Sequence, residues 1–415
     1  MTMLRIPTAL RRRVPVLLLA AFALAAAGCG DAGDAGAGDA VRETLPGGGT
    51  LVRYAALPSE PTHILEPDLV LGVLEGEEWE MFGDVRGFDA GSDGAIYILD
   101  FQPRVIRVFG ADGAYLRTLG GPGDGPGELT QANGLLKEPG GLLWVNDHGK
   151  MRILGLRSDG TEVLRAPFPV PGWGYAWPGE RDAEGRFWEG MWHRDGANVM
   201  PDPGLNEASG RLWFHAVHPE TEVRDSVFIG EQRSRSWMTA LEGGGFSLMA
   251  IPFEARSATI LDPEGGFWTT EGADYRIVRL DAGGDTALVL EAGVPRATVT
   301  AGDRDALLER LTVQGNLPEP AARELLRAGS DRHPAVTQLF LDDRGRVWVG
   351  RGRGTSDLPP LWDVFERDGS FVASVEPAFM PSSTGILPRI RNENAHFLVS
   401  GEGGAPTVVR APVPF

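Results

Sequence analysis

Apolar and polar residues alternate in short runs along most of the chain, and the runs recur behind glycine-bearing turns. The first run is Ile96-Tyr97-Ile98-Leu99-Asp100, led by Ser92-Asp93-Gly94. The second is Leu142-Leu143-Trp144-Val145-Asn146-Asp147, after Pro139-Gly140-Gly141. Arg186-Phe187-Trp188 follows Ala183-Glu184-Gly185, and Phe267-Trp268-Thr269-Thr270-Glu271 follows Pro263-Glu264-Gly265. The fifth is Val347-Trp348-Val349-Gly350-Arg351, after Asp343-Arg344-Gly345, and a weaker sixth is Ala395-His396-Phe397-Leu398-Val399-Ser400. The central aromatics stand at 97, 144, 188, 268, 348 and 397, at spacings of 47, 44, 80, 80 and 49. A repeat of ~40–50 residues suits one four-stranded blade, so the two long spacings predict insertions of roughly 30–40 residues each.

A second signal follows the aromatic runs. Arg104 to Phe109 leads into Ala111-Asp112-Gly113 and then Tyr115 to Leu119. Asp159-Gly160 and Asp368-Gly369 occupy the same place in the second and fifth repeats. Asp-Gly between alternating segments predicts a hairpin, because glycine accepts positive φ. Each unit therefore reads strand, loop, strand, turn, strand. The fold predicted for residues 50–415 is all-β: a six-bladed β-propeller of four-stranded blades. These units resemble NHL-type repeats, and the whole resembles the six-bladed propellers of bacterial lipoproteins. Residues 83–129, ending Leu119-Gly120-Gly121-Pro122-Gly123-Asp124-Gly125-Pro126-Gly127-Glu128-Leu129, carry the resemblance furthest. Blades three and six carry it least. A seven- or eight-bladed ring is the rival, with Trp237 and Gly245-Phe246-Ser247-Leu248-Met249 as the candidate hidden blade in the first long gap.

Two segments fall outside the repeat. Leu69-Val70-Leu71-Gly72-Val73 reads as a strand that precedes the first blade. Pairing it with the last blade would close the ring and protect the edges. Residues 303–328 carry Leu307, Leu308, Leu311, Leu325 and Leu326 at helical spacing, with Pro318-Glu319-Pro320 between. They predict a short helical insertion of two helices in blade five, acting as a packing cap or as a lid over the axis.

The first thirty residues are an address. Arg5 and Arg11-Arg12-Arg13 precede an apolar run from Val14 to Ala27, interrupted by Pro15. A basic start, an apolar centre and small residues at the end mark a secretory signal. The run is too short for a span of ~20 residues. The single cysteine, Cys29, follows Ala26-Ala27-Gly28, which resembles the bacterial lipobox. The resemblance implies a lipoprotein signal peptide over 1–28 and lipidation of Cys29. It also implies an extracytoplasmic chain anchored in the bacterial cell envelope. Gly30 after the cysteine, in place of Asp, favours the outer membrane in a cell with two membranes. Residues 29–49, rich in Gly, Ala and Asp, read as a flexible tether.

Composition narrows the classes. The chain has 415 residues, a formal charge of −18 and 42% hydrophobic residues, enough for a large core. One cysteine excludes an internal disulfide and a Cys-rich metal cluster. The acidic balance, without a basic stripe, argues against nucleic acid as a partner. The expected state is a monomer.

The residue three positions beyond each aromatic is Asp100, Asp147, Met191, Glu271, Arg351 and Ser400. If these form a ring, Asp147, Glu271 and Arg351, with His148 and His193 nearby, make a candidate axial funnel for a ligand. Carboxylates and imidazoles together suit a divalent cation, calcium or zinc, with Glu271 and His193 as its ligands. The competing reading is that Asp100 and Asp147 bond their own loops, as Asp does in turns, and that His193 is a surface residue. Trp173-Gly174-Tyr175-Ala176-Trp177 is a candidate exposed aromatic loop, or a filler between blades two and three. No nucleophile elbow, fixed metal spacing or phosphate loop occurs. The expected function is a binding scaffold for a protein, peptide or glycan. The alternative is a divalent-metal-dependent lyase or hydrolase with an axial site.

Overall fold

The computed structural model describes residues 39–168, 177, 179, 181–196, 202–221, 223–240, 245–315, 317–354, 357–382 and 385–415. Residues 1–28, expected to be a signal peptide, and Cys29 and Trp173 lie outside the described residues. Six separate antiparallel sheets follow one another along the chain, and they are the six blades. Blade one is Val85–Ala90, Ile96–Asp100, Val105–Phe109 and Tyr115–Gly120. Blade two is Ala132–Lys137, Leu143–Asp147, Arg152–Leu156 and Glu162–Pro167. Blade four is Ala258–Leu261, Phe267–Thr270, Arg276–Leu280 and Thr286–Ala292, and blade five is Val336–Leu341, Val347–Arg351, Leu361–Phe365 and Phe371–Pro377.

All six repeating aromatics sit on the second strand of a blade and are buried. In blades one and two every residue of that strand is buried. The outer strands, by contrast, alternate between buried and exposed positions. The reason is position: a second strand is covered on both faces by neighbouring blades, an outer strand on only part of its surface. Trp348, for example, stacks on Phe340 at 5.6 Å and on the terminal Phe415 at 6.0 Å.

A turn device repeats where the first strand meets the second. Asp182, Asp262 and Asp342 each precede a Trp by six residues, as Asp-x-x-Gly-x-x-Trp. The Asp342 carboxylate accepts from the Arg346 backbone N–H at 2.9 Å, from Arg346 Nε at 2.6 Å and from Trp348 Nε1 at 3.0 Å. Asp182 repeats the pattern with the Arg186 N–H and Nε and with Trp188 Nε1. Asp262 instead takes Arg279 from its own blade and Arg367 from blade five, both at 2.9 Å.

The N-terminal segment closes the ring. β1 (Val41–Thr44) and β2 (Thr50–Tyr54) form a hairpin, and β2 lies parallel to the outer strand of blade four. β3 (His63–Leu65) lies parallel to the outer strand of blade five. β4 (Leu69–Leu71) then completes blade six, antiparallel to Pro406–Pro412, beside Asn394–Ser400 and Arg389–Arg391. The last blade therefore joins a strand that precedes blade one to three strands that follow blade five, as the Leu69 to Leu71 pattern predicts. β1 lies within the stretch expected to be a tether. All four of its residues are exposed, so backbone pairing rather than burial holds it, and its sequence carries no apolar signal.

Blade three departs from the regular plan. Among the described residues, the segment before its second strand pairs with it through one bridge, Arg181 to Phe187. Its next strands are long: Phe187–Arg194, then Gly204–Val217 (14 residues) and Arg224–Ala240 (17 residues). Phe246–Ala250 pairs with the far end of the last, at Ser236 to Ala240. Trp237 and Gly245 to Met249 thus extend blade three and do not form a seventh blade. The second insertion lies between blades four and five. α1 (Ala301–Glu309) starts at a capping box in which Thr300 and Asp303 exchange side-chain and backbone bonds. α2 (Glu319–Arg327) buries Ala322, Leu325 and Leu326 on one face. Ala322 and Leu325 pack on Trp237 and Ile251, so the two insertions bury each other.

His396, on the second strand of blade six, is 2% exposed. Burial pushes its imidazole down to about 4, so it is neutral in the folded chain and protonates first in the unfolded one. Its contribution is present above about pH 6.5 and is lost as pH falls toward 4, by about 3 kcal/mol in order of magnitude. The thermal midpoint of His396→Leu should therefore fall less between pH 7 and pH 4.5 than that of the wild type. Parallel pH dependence of the two would overturn this account.

Candidate functional site

The first strands of the blades surround a central cavity of about 360 Å³. Phe88, Leu135, Ile260, Phe340 and Leu387, from five blades, supply apolar wall. Blade three contributes Trp177, Gly179 and Arg181 where its first strand would stand. Gly134 makes this possible, since a Cβ there would lie 2.5 Å from the Trp177 carbonyl oxygen. The Trp177 N–H donates to the Asn133 carbonyl at 2.8 Å, and its ring is buried against Phe168 and Phe187. Trp177 therefore fills the space between blades two and three and is not an exposed contact residue.

Four arginines line the same cavity: Arg86 from blade one, Arg181 from blade three, and Arg389 and Arg391 from blade six. Each is held from behind. Arg86 forms a two-toothed pair with Asp84 and lies 4.8 Å over the Phe101 ring. Arg181 pairs with Glu138, donates to the Gly185 carbonyl at 3.0 Å and lies 4.9 Å over Trp144. Burial lowers the Arg181 guanidinium below its ordinary value, but from so high a start that it stays charged. Arg391 Nε donates to the buried Asp89 at 3.0 Å. The Nη2 of Arg389 lies 3.1 Å from where a Cβ on Gly179 would stand, so glycine leaves room for that head group. Pairing fixes Arg86, Arg181 and Arg391 and uses only some of the five N–H donors that each guanidinium has.

The sequence-derived site residues lie elsewhere. Asp147, Glu271 and Arg351 do stand at or just beyond the far ends of their second strands. Among the described residues, none of Asp147, His148, His193, Glu271 and Arg351 lines the central cavity. Asp147 is fully buried and accepts from the Thr130 N–H and hydroxyl, the Gln131 N–H and Arg152 Nε. Asp100 repeats this with Gly83, Asp84 and Arg107. These carboxylates pin the segment that enters their own blade. Arg351 pairs with Asp363 and donates to the Pro58 carbonyl. It borders a second cavity of about 340 Å³ between blades five and six, with Arg353, Trp362 and Phe397. His148 opens a short turn after blade two's second strand, Glu271 is exposed, and His193 faces His215 across blade three. Burial, then the charge of His193, holds the His215 imidazole below its ordinary value. Among the described residues, no group of three or more His, Cys, Asp or Glu is placed to hold a metal ion.

No protein-family model matches the chain, and no curated protein matches it. Solved structures with similar strand arrangement include a Bacteroides fragilis protein designated as exported, 11% identical, with 88% of this chain and 100% of that one covered and a TM-score of 0.44. A member of the DUF4221 family from Bacteroides vulgatus is 10% identical, with 84% and 97% covered and a TM-score of 0.47. Virginiamycin B lyase from Staphylococcus aureus is 13% identical, with 84% and 88% covered and a TM-score of 0.31. The six-bladed ring rests on the strand pairing of this chain.

The structural role of Asp147 predicts a division among these residues. Asp147→Ala leaves the Thr130 and Gln131 N–H groups without this acceptor and the buried Arg152 with only Asp124 and the Glu128 carbonyl, and should cost roughly 2–4 kcal/mol of unfolding free energy. Glu271→Gln, at an exposed site, should leave the denaturation midpoint within experimental error. Equal effects in a urea titration would contradict the assignment.

Proposed function

We propose that this chain is a lipid-anchored binding propeller of the bacterial envelope, with NHL-type blades, whose axial cavity takes an acidic peptide segment. The observation that carries this reading is the gathering of Arg86, Arg181, Arg389 and Arg391 from three blades around one cavity, in a chain of net charge −18. Asp84, Glu138 and Asp89 balance Arg86, Arg181 and Arg391 from behind, Asp342 also borders the cavity, and an anionic ligand would take the donors that those pairs leave over. The guanidinium forks suit carboxylates, and the apolar wall suits the rest of a short peptide. The cavity lies near the lower end of ligand-pocket sizes, roughly 300–1,000 Å³. A protein partner would therefore present a terminus or an exposed acidic loop. An uncharged glycan would leave the arginine donors poorly matched.

The anchor belongs to the same proposal. Diacylglyceryl-Cys29 with a second acyl chain gives a lasting membrane hold, and residues 30–40 give the body reach from the surface. Gly30 supports an outer-membrane destination. The body acts as a monomer.

Binding is tested on the full-length protein in detergent, by its tryptophan fluorescence, since Trp144 and Trp177 border Arg181 and the cavity. A tri-glutamate peptide should give a saturable change. Arg86→Gln combined with Arg389→Gln should weaken it at least tenfold. A neutral tripeptide amide and an uncharged oligosaccharide should give none. An equal response to the neutral probes, or none to any, would overturn the acidic-peptide reading. Mass spectrometry of the N-terminal peptide should find Cys29 acylated, and unmodified Cys29 in bacterial membranes would overturn the anchor.

A further inference from the structure

Blade three carries a second pair of chemically capable groups, away from the axis. His193 is the last residue but one of its second strand, and His215 lies in the third. In the register His193 stands opposite Arg211, Met191 opposite Trp213, and Glu189 opposite His215. These positions share one face of the sheet, because side chains alternate along a strand. The two imidazoles lean toward one another along that face until their Nε2 atoms are 3.3 Å apart, with the rings at 77°.

That separation lies at the long end of a hydrogen bond, beyond the range of about 2.7–3.2 Å usual for an N–H···O bond. It does match two corners of a tetrahedron around zinc: Zn–N bonds of about 2.0–2.1 Å at the tetrahedral angle place the nitrogens about 3.3 Å apart. A second observation concerns the tautomer. His215 Nδ1 lies 2.8 Å from Ser226 Oγ, on the adjoining strand. If Nδ1–H donates to that hydroxyl, the Nε2 lone pair faces His193, the arrangement by which metal-ligating histidines are oriented from behind. His193 is exposed, so an ion can enter and water can fill the remaining positions.

We propose that His193 and His215, with Ser226 behind His215, form a two-histidine site for a borderline-soft divalent transition metal such as zinc or copper. Calcium is a poor fit, because it takes oxygen ligands. The site is independent of the axial cavity. It clips the second strand of blade three to the third just below the point where the third and fourth strands run on past the second as a paired ribbon, at Gly204 to Ser209 and Arg233 to Met238. Bound metal would stiffen that ribbon, whose Trp237 packs on the helical insertion.

The test is isothermal titration of chelator-treated, full-length protein in detergent with zinc chloride. One zinc per chain is expected, with a zinc-dependent rise in the thermal midpoint. His193→Ala and His215→Ala should each weaken binding at least tenfold, and Ser226→Ala by several-fold. His148→Ala should leave it unchanged. Both histidine variants keep the strand backbone, and circular dichroism without metal should match the wild type. Zinc isotherms that are flat for the wild type, or the same in the two variants as in the wild type, would overturn the proposal and leave a hydrogen-bonded pair. Either result stands whether or not acidic peptides bind the axis.

Discussion

The structure depends on one constraint: the second strand of every blade is sealed on both faces by its neighbours. Tyr97, Trp144, Trp188, Trp268, Trp348 and Phe397 are all buried there, and no single blade could bury its own aromatic on both sides. A ring in which every blade has two neighbours is the arrangement that satisfies all six at once. The last gap is therefore the critical one. β4 fills it by supplying the outer strand of blade six from the other end of the chain. The C-terminal segment ties blade six to blade five on its other side. Phe415 stacks on Trp348, and its carbonyl oxygen accepts from Arg344 and Arg346 at 3.2 Å each.

The buried carboxylates serve the same closure. Asp182 and Asp342 tie a turn to an arginine and to the indole of the next strand. Asp262 joins blades four and five through Arg367. Asp100 and Asp147 fasten the segments that enter blades one and two. In each case backbone N–H groups at a turn would otherwise be buried without an acceptor, at a cost of about 1–3 kcal/mol each. A carboxylate shared between those donors and an arginine meets several needs with one side chain. With these carboxylates committed to architecture, the cations around the axis and the histidine pair on blade three remain as the groups suited to ligands.

Much of the fold was legible. The aromatic spacing located the second strand of every blade, and the apolar run at Leu69 to Leu71 located the closing strand. The helical spacing of Leu307 to Leu326 located the inserted helices. The Asp-to-Trp device escaped notice because its Asp stands one residue before the segments that looked alike, and blades one and two lack it. Trp177 was ambiguous because an aromatic-rich segment looks the same whether it is exposed or packs between two blades. β1 was hidden because an edge strand held by backbone pairing needs no apolar residues.

By itself the sequence determined the repeat, the number of aromatic strands, the closing strand and the polar turns, since all of these are local patterns of alternation and glycine placement. Tertiary structure alone decided which side chains meet. Arg86 and Arg391 lie about three hundred residues apart and look like ordinary surface charges, yet a ring brings the first strands of blades one and six side by side. His193 and His215 are brought together by a register that only strand pairing sets, and shifting that register by one residue would turn one of them to the opposite face. Asp147 and Glu271 occupy matching places in the repeat, but one is buried among donors and the other faces water. A repeat specifies position along the blade, and the neighbours packed around that position specify its chemistry.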